Sequence, residues 1–172
     1  MVFLVGPRGS GKTTVAALLA EALGCAWIDA DSVLEQRAGR SIRDIFAAEG
    51  ESGFRLRERE ILSELCGRER IVIATGGGAV LHPENRERMR AAGTVVWLTA
   101  DARTLHQRAT ADASTAQRRP ALSSGGIEEV VAVLVAREPL YRDCAHFIVD
   151  TTARTPAEVA AEILGLLDGR PS

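Results

Sequence analysis

Residues 6–14, GPRGSGKTT, combine glycines, a lysine and hydroxyl side chains in a spacing that binds phosphate groups. They match the pattern G-x-x-x-x-G-K-[ST], and they lie between an apolar run and a helical pattern, where such a loop functions. Glycines such as Gly9 and Gly11 let backbone N–H groups turn toward phosphate oxygens, and a helix amino terminus adds a favourable dipole. The sequence therefore predicts a loop that binds the phosphates of a nucleotide.

Lys12, inside this loop, is the only lysine in a chain with 21 basic residues. A compact and mobile ammonium suits the β and γ phosphates of a nucleotide better than a planar guanidinium does. The next residue, Thr13, can offer its hydroxyl to Mg²⁺, which bridges the outer phosphates. We therefore expect Lys12 to act in catalysis and Thr13 to bind the metal ion.

The lack of a second lysine excludes a GTPase of the Ras type, because the guanine motifs N-K-x-D and T-K-x-D both need one. The apolar run at 71–74 continues into Thr75 and three glycines, so it does not supply the aspartate that supports Mg²⁺ in transport ATPases. The candidate acids are Asp29 and Asp31. Residues two apart in an extended segment share a face, so one carboxylate can face the metal and the other the substrate. A capping role for Asp31 or Ser32 at the next helix stays open.

The charge and cysteine composition of the chain indicate which partners and which compartment to expect. The chain has 21 basic and 23 acidic residues and a net charge of −2, which gives no positive field to attract nucleic acid or anionic lipid. The three cysteines are far apart and odd in number, so we expect core residues in a reducing cytoplasm rather than disulfides or a zinc site. No apolar stretch has the length of a membrane span. We expect one cytoplasmic domain, residues 1–172, without nucleic-acid or membrane partners.

Short apolar runs alternate with helical patterns along the chain. The runs lie at 2–5, 26–28, 71–74, 95–98 and 147–149, and the helical patterns at 13–23, 54–66, 83–93, 102–109, 127–141 and 155–167. Runs that are apolar on both faces are typical of parallel strands covered on both sides, and they place Trp27 and Trp97 in the core. Thr155 and Pro156 are expected to begin the last helix. The pattern predicts an α/β fold with a five-stranded parallel sheet and a site at the carboxyl ends of its strands.

Residues 110–126, TADASTAQRRPALSSGG, interrupt this alternation. They are small and polar with few apolar side chains, and a loop of this length inside a compact domain is typical of a lid or a binding loop. We predict a mobile lid that carries Arg118 and Arg119.

Over almost its whole length the chain resembles the shikimate kinase family. The resemblance rests on GPRGSGKTT (6–14), IDAD (28–31), GRSIRDIFAAEGESGFRLRE (39–58), ATGGGAV (74–80), RRPAL (118–122) and REPLYRDCAHFIVD (137–150). It implies a three-layer P-loop kinase fold and Mg²⁺-dependent transfer of the γ-phosphoryl of ATP to the 3-hydroxyl of shikimate, in aromatic amino-acid biosynthesis. A small kinase with a self-contained site needs no partner subunit, so we expect a monomer. The segments PRG and CAHFIVD look most like the second of the two enterobacterial isoenzymes.

The resemblance also implies roles for individual residues. The ATP phosphates would be held by Gly9, Ser10, Gly11, Lys12, Thr13 and Thr14, and the metal by Thr13 and Asp29. Shikimate would be bound by Asp31, Arg55, Gly77, Gly78 and Arg137. Adenine would be flanked by Arg108 and Arg154, with Pro156, and Arg119 would reach the phosphates when the lid closes. Three features depart from the family pattern. The adjacent arginines leave open which of them enters the site, Ala121 stands where a larger residue is usual, and the stretch before them is unusual in length and alanine content.

The chemistry of shikimate agrees with these roles. Its carboxylate suits two planar guanidinium groups, and its reacting hydroxyl needs a group such as the Asp31 carboxylate to orient it and accept its proton. Taken alone, Arg55 would be interpreted as part of a solvated ion pair, Arg137 as the partner of Glu138 at a helix end, and Arg8 as solvated. Two alternatives stay open: a gluconate or adenylylsulfate kinase, and a catalytically silent nucleotide-binding module.

Overall fold

The computed structural model describes residues 1–111 and 126–169. Within these residues the chain forms five strands, which are β1 (Val2–Val5), β2 (Ala26–Asp29), β3 (Ile71–Ala74), β4 (Thr94–Thr99) and β5 (Phe147–Asp150). Its helices in the same residues are α1 (Lys12–Leu23), α2 (Ala30–Ala38), α3 (Ile42–Leu65), α4 (Pro83–Ala92), α5 (Ala102–Ala111), α6 (Ile127–Cys144) and α7 (Pro156–Asp168). A 3₁₀ turn, Ala79–Leu81, follows β3.

The strands form one parallel sheet in the order β2-β3-β1-β4-β5. Successive residues of a strand point to opposite faces, so Phe3 and Val5 join one core cluster while Val2 and Leu4 join the other. The first cluster includes residues of α2, α3, α4 and α6, and the second includes residues of α1 and α7. The predicted α/β fold of three layers is therefore confirmed, with β1 at the centre of the sheet.

The edge strands differ from the prediction. Trp27 on β2 is 41% exposed and Ile148 on β5 is 43% exposed, whereas Trp97 on β4 is only 4% exposed. An edge strand has one neighbouring strand, so the helices packed over the middle of the sheet leave part of it uncovered. The prediction that Trp27 lies in the core is wrong, and the one for Trp97 is confirmed. Of the three cysteines expected in the core, Cys144 is buried, whereas Cys25 and Cys66 are only partly buried.

The helix boundaries follow local capping signals. Thr155 caps α7 and forms a reciprocal capping box with Glu158, with Pro156 as the first helical residue, as predicted. Two helical stretches were missed: α2, which Asp29 caps, and the first half of α3, which Ser41 caps. Neither stretch has a strong apolar stripe, and a left-handed Gly50 (φ 69°) separates the first half of α3 from the predicted second half.

In the part of the chain that the structure describes, every helix is too short or too polar to cross a lipid bilayer.

Candidate active site

The phosphate loop, residues 6–11, connects β1 to α1 and packs closely on α5. Gly9 has a φ of 80°, and a Cβ at this position would lie 2.6 Å from the Leu105 carbonyl oxygen. Both the conformation and the space therefore require glycine. Arg8 is half-buried beside this contact and donates to the Ala109 carbonyl oxygen at 3.3 Å. The expectation that Arg8 is solvated is wrong, because its side chain lies along α5 rather than in water.

The ammonium of Lys12 lies over the phosphate loop. It donates to the carbonyl oxygens of Pro7 at 2.8 Å and Gly6 at 3.0 Å, and it lies 3.4 Å from the Ser10 hydroxyl. Lys12 is also the first residue of α1, so the charge and the helix amino terminus act on the same space. The arrangement suits a polyanion, whose oxygens can replace these neutral acceptors.

Thr13 and Asp29 meet at the carboxyl end of β2. The Thr13 hydroxyl donates to Asp29 Oδ2 at 2.8 Å, and Asp29 Oδ1 accepts the backbone N–H of Ser32 at 3.1 Å. Asp29 is therefore the cap of α2, so the alternative in which Asp31 or Ser32 caps this helix is not what the structure has. A hydroxyl and a carboxylate at this distance are hard oxygen donors, so the residues fit a Mg²⁺ ion.

Asp31 lies in the first turn of α2 and faces the glycines after β3. A Cβ at Gly76 would lie 2.8 Å from Asp31 Oδ1 and 2.9 Å from Glu58 Oε1. The fold thus brings two carboxylates from different helices against one glycine. Glu58 was not among the predicted site residues, although its place one helical turn after Arg55 puts both on the same face of α3.

Arg55 is fixed against the same glycine segment. Its guanidinium pairs with Glu58 at 2.7 Å and with Glu51 at 3.2 Å, and Glu58 is only 4% exposed. Burial alone would lower the pKa of Arg55, but the two carboxylates outweigh it and the pKa is raised. A Cβ at Gly78 would lie 2.7 Å from Arg55 Cζ. Arg55 is thus a partly buried, oriented cation and not a solvated ion pair.

The carbonyl oxygen of Gly77 accepts two donors from α6. The Arg137 guanidinium donates to it at 3.2 Å and the Tyr141 hydroxyl donates at 2.5 Å. Glu138, the sequence neighbour of Arg137, pairs with Arg142 at 2.8 Å, so the proposed pairing of Arg137 with Glu138 is not what the structure has. Tyr141 was missed as a site residue, although it lies one helical turn after Arg137 on the same face.

Residues 76–78 therefore stand between the two halves of the site. Arg55 and Arg137 contact them from opposite helices, while a Cβ at Gly77 would lie 3.5 Å from the Gly6 carbonyl oxygen of the phosphate loop. The carboxyl ends of β1 and β3 hold these two loops side by side in the sheet. An anion on the phosphate loop and an acid held by the arginines would be neighbours here.

Arg108 and Arg154 both reach the segment after β5. Arg108 donates to the Thr151 hydroxyl at 3.0 Å and to its carbonyl oxygen at 2.9 Å, and Arg154 donates to the Asp150 carbonyl oxygen at 3.1 Å. The fold thus brings together the two arginines predicted to flank adenine, next to Pro156. Arg118 and Arg119, with most of the predicted lid, lie outside the described residues.

Comparisons with known proteins agree with this geometry. A family model described as Shikimate kinase matches residues 8–168. A shikimate kinase of Symbiobacterium thermophilum is 46% identical over 98% of this chain and 97% of its own length, and Shikimate kinase 2 of Yersinia enterocolitica is 44% identical over 96% and 94%. The solved shikimate kinase of Acinetobacter baumannii, in complex with shikimate, is 40% identical with a TM-score of 0.90, covering 96% of this chain and 91% of that one. The chain belongs to the shikimate kinase family.

Proposed function

We propose that this protein transfers the γ-phosphoryl group of ATP to the 3-hydroxyl of shikimate, giving shikimate 3-phosphate and ADP. The observation that carries the proposal is the pair of guanidinium groups, Arg55 and Arg137, set against the glycines at 76–78 beside the phosphate loop. Planar guanidinium groups bind a carboxylate in two-point fashion. A small acid held there has its ring next to the bound triphosphate.

The phosphate side of the site would be formed by residues 9–14. Lys12 would exchange its contacts with the Gly6 and Pro7 carbonyl oxygens for contacts with the β and γ phosphates. Backbone N–H groups of residues 9–14, including those of Ser10 in the loop and Thr14 in the first turn of α1, would bind the other phosphate oxygens. These groups hold the γ-phosphoryl in line with the acceptor hydroxyl, which accounts for much of the catalysis in phosphoryl transfer.

Thr13 and Asp29 would hold Mg²⁺, since both present oxygen ligands within 2.8 Å of each other. The ion held there would supply positive charge that offsets the negative charge of the phosphates during transfer. Asp29 is held in place by the Ser32 N–H, so its second carboxylate oxygen keeps a fixed direction. The hydrogen bond by which Asp29 caps α2 thus also orients its carboxylate toward the metal ion.

Asp31 would orient the 3-hydroxyl of shikimate and accept its proton. The new bond forms between the hydroxyl oxygen and the γ-phosphorus, the bond from that phosphorus to the bridging oxygen of ADP breaks, and the proton passes to the Asp31 carboxylate. Support comes from the place of Asp31, which lies against Gly76 in the same glycine segment that the arginines contact.

The remaining roles rest on the family resemblance together with the placement of the residues. Arg108, Arg154 and Pro156 would flank the adenine, which agrees with the meeting of the two arginines at Thr151 and Asp150. Arg119 would contact the phosphates from the lid, and that assignment stays a prediction. We also propose a cytoplasmic monomer, because each proposed site residue comes from one chain and ATP is a cytoplasmic substrate.

A panel of acceptors tests the proposal. The purified protein is incubated with ATP, Mg²⁺ and shikimate, gluconate or adenylylsulfate, and formation of ADP and of the phosphorylated acceptor is measured. We expect efficient turnover of shikimate alone. Turnover of gluconate or adenylylsulfate without that of shikimate would support the alternative kinase, and ATP binding without any transfer would support the silent module.

Two arginine variants test whether Arg55 and Arg137 bind the carboxylate of shikimate. Arg137→Ala and Arg55→Ala should each raise the KM for shikimate while the KM for ATP changes little, because the guanidinium groups serve the acid and not the nucleotide. Arg142→Ala is the matched control, since Arg142 lies on the same helix as Arg137 and its exposed side chain pairs with Glu138. An unchanged shikimate KM in both site variants contradicts the proposed carboxylate clamp.

A further inference from the structure

Tyr141 is the only tyrosine of the chain and is 1% exposed. Its hydroxyl donates to the Gly77 carbonyl oxygen at 2.5 Å, although the two residues are 64 positions apart in sequence. A buried hydroxyl needs a hydrogen-bond partner, and many backbone or side-chain groups can serve. Here the partner lies in the middle of the glycine segment at the centre of the candidate site.

The glycine segment needs such an anchor. The Gly76 and Gly78 carbonyl oxygens accept the backbone N–H groups of Ala79 and Leu81 in the following turn. The Gly77 carbonyl oxygen is held instead by the Arg137 and Tyr141 side chains, and glycine has wide conformational freedom, so these contacts set the direction of its peptide. The peptide between Gly77 and Gly78 is planar and trans, so its C=O and N–H point in opposite directions. Holding the Gly77 carbonyl toward α6 therefore fixes the direction of the Gly78 N–H as well.

The same carbonyl also fixes the two arginines relative to each other. Arg137 donates to it from α6 at 3.2 Å, and the guanidinium of Arg55 lies against the Cα of Gly78, where a Cβ would be 2.7 Å from Cζ. A rotation of this one peptide would thus change the position of both cations. Tyr141 is a neutral donor, so it restrains the carbonyl without adding a charge that competes for the ligand.

The ring of Tyr141 is itself held by the sheet. It stacks on Trp97 of β4 with ring centroids 5.5 Å apart and an angle of 17° between the planes, and Trp97 is buried. A tyrosine has few side-chain torsions, so a stacked and buried ring gives its hydroxyl a defined position. Arginine, with its long flexible side chain, does not provide this restraint.

The hydroxyl keeps its proton at neutral pH. Burial raises the pKa of Tyr141 to about 12, against the opposing effect of the Arg137 charge. Tyr141 therefore donates to the Gly77 carbonyl over the whole pH range in which a cytoplasmic enzyme works.

We propose that Tyr141 is a positioning residue of the shikimate site, which holds the Gly77–Gly78 peptide so that Arg55 and Arg137 are correctly placed for the substrate carboxylate. The inference rests on the proposed function, since it concerns the same site. Tyr141 takes no part in the chemical step, because its hydroxyl is already bonded to the carbonyl. Its role is to hold the Gly77 carbonyl through a ring that is itself fixed against the sheet.

The Tyr141→Phe variant tests the inference, because it keeps the ring and its stacking on Trp97 and removes one hydroxyl. We expect the KM for shikimate to rise roughly three- to tenfold, the size expected for one neutral hydrogen bond. The KM for ATP should stay within about twofold of the wild-type value, because the phosphate loop keeps its own contacts. A role in stability alone would lower the melting temperature and leave the shikimate KM unchanged.

Cys144→Ala is the matched control for a structural effect. Cys144 is fully buried on the same helix, and its carbonyl oxygen accepts from Arg90 on α4, away from the glycines. This variant should lower the melting temperature without changing the shikimate KM. If Tyr141→Phe behaves like Cys144→Ala while the wild type turns over shikimate, the positioning role is wrong and the proposed function stands. If the wild type does not turn over shikimate, both are wrong.

A second measurement uses the protein without any substitution and observes Tyr141 directly by ¹⁹F NMR. Because Tyr141 is the only tyrosine, growth with 3-fluorotyrosine labels this ring alone, and its ¹⁹F resonance reports on the hydroxyl and its partner. We expect the resonance to shift when shikimate is added and to stay in place when gluconate is added at the same concentration. An unchanged resonance at saturating shikimate would overturn the inference, even if Tyr141→Phe fails to fold.

Discussion

The guanidinium of Arg55 lies directly against the Cα of Gly78, in the space that a β-carbon at that position would need. Gly78 has a φ of −103°, which any residue can adopt, so its backbone conformation does not require glycine. The neighbouring cation requires it. Because Gly78 has no side chain, the guanidinium of Arg55 on α3 can occupy this position.

Gly78→Ala should therefore impair substrate binding more than folding. The new methyl group meets the mobile end of the Arg55 side chain, which can move away and leave the fold intact. We expect the KM for shikimate to rise by about tenfold or more, the scale of a displaced charged hydrogen-bond donor, with a small change in the KM for ATP. Gly165→Ala is the control: its Cβ would meet nothing within 4 Å, so it should leave both KM values unchanged.

Asp31→Asn should abolish transfer while ATP still binds. The amide keeps the shape of the carboxylate but does not accept the proton of the substrate hydroxyl, and general-base catalysis contributes about 10²- to 10⁴-fold in rate. The measurement is kcat with shikimate together with the dissociation constant of ATP. Asp44→Asn makes the same change in the first turn of α3, outside the site, and should be active. An Asp31→Asn protein with wild-type kcat would contradict the assigned role.

Thr13→Val should change the response to Mg²⁺. Valine has nearly the shape of threonine but lacks the hydroxyl that contacts Asp29 Oδ2 at 2.8 Å. We expect the Mg²⁺ concentration for half-maximal activity to rise by about tenfold, because one oxygen ligand is lost. The KM for shikimate, measured at saturating Mg²⁺, should be unchanged. Equal Mg²⁺ titrations of the variant and the wild type would show that Thr13 does not bind the metal.

Acid should remove part of the stability of α7. Glu158 accepts the Thr155 backbone N–H at 2.8 Å and the Thr155 hydroxyl at 2.7 Å, and these bonds lower the pKa of Glu158, the backbone bond most. A carboxyl group with a lowered folded pKa stabilises the protein above its unfolded pKa, and that contribution is lost as the pH falls through the folded pKa.

Urea unfolding at two pH values checks this. Glu158→Gln should have a lower free energy of unfolding than the wild type at pH 7, and the difference should shrink at about pH 3, below the ordinary glutamate pKa. Glu69→Gln, at an exposed position outside the helices, should differ little from the wild type at both values. A difference for Glu158→Gln that is the same at both pH values would mean that the carboxylate charge does not stabilise the helix cap.

The sequence predicted those parts of the fold and site that depend on short segments. The phosphate loop, the five strands and the cap at Thr155 are each encoded within a few consecutive residues, and the structure places them as expected. Helix α2 was missed because its polar sequence has no clear apolar stripe and its cap, Asp29, is the last residue of a strand. Trp27 was misplaced because strand composition does not tell an edge from a centre.

The contacts that organise the site could not be predicted from local patterns. Tyr141 reaches Gly77 across 64 positions, and Glu58 meets Gly76 only because α3 packs beside the end of β3. Such pairings are set by tertiary packing. The family resemblance identified Arg55 and Arg137 but gave no reason for their fixed positions, which the buried carboxylate of Glu58 and the shared Gly77 carbonyl supply.

The solitary ammonium of Lys12 has a practical consequence. No other side chain in the 172 residues carries a primary amine, so after hydroxylamine treatment, which removes acyl groups from thiols, a mild acylating reagent leaves stable amides only on this group and on an α-amino group. Lys12 already rests on two carbonyl oxygens, and a nucleotide in the loop would shield it further. The extent of acylation, read by mass spectrometry, would therefore report nucleotide occupancy on an unmutated and unlabelled protein.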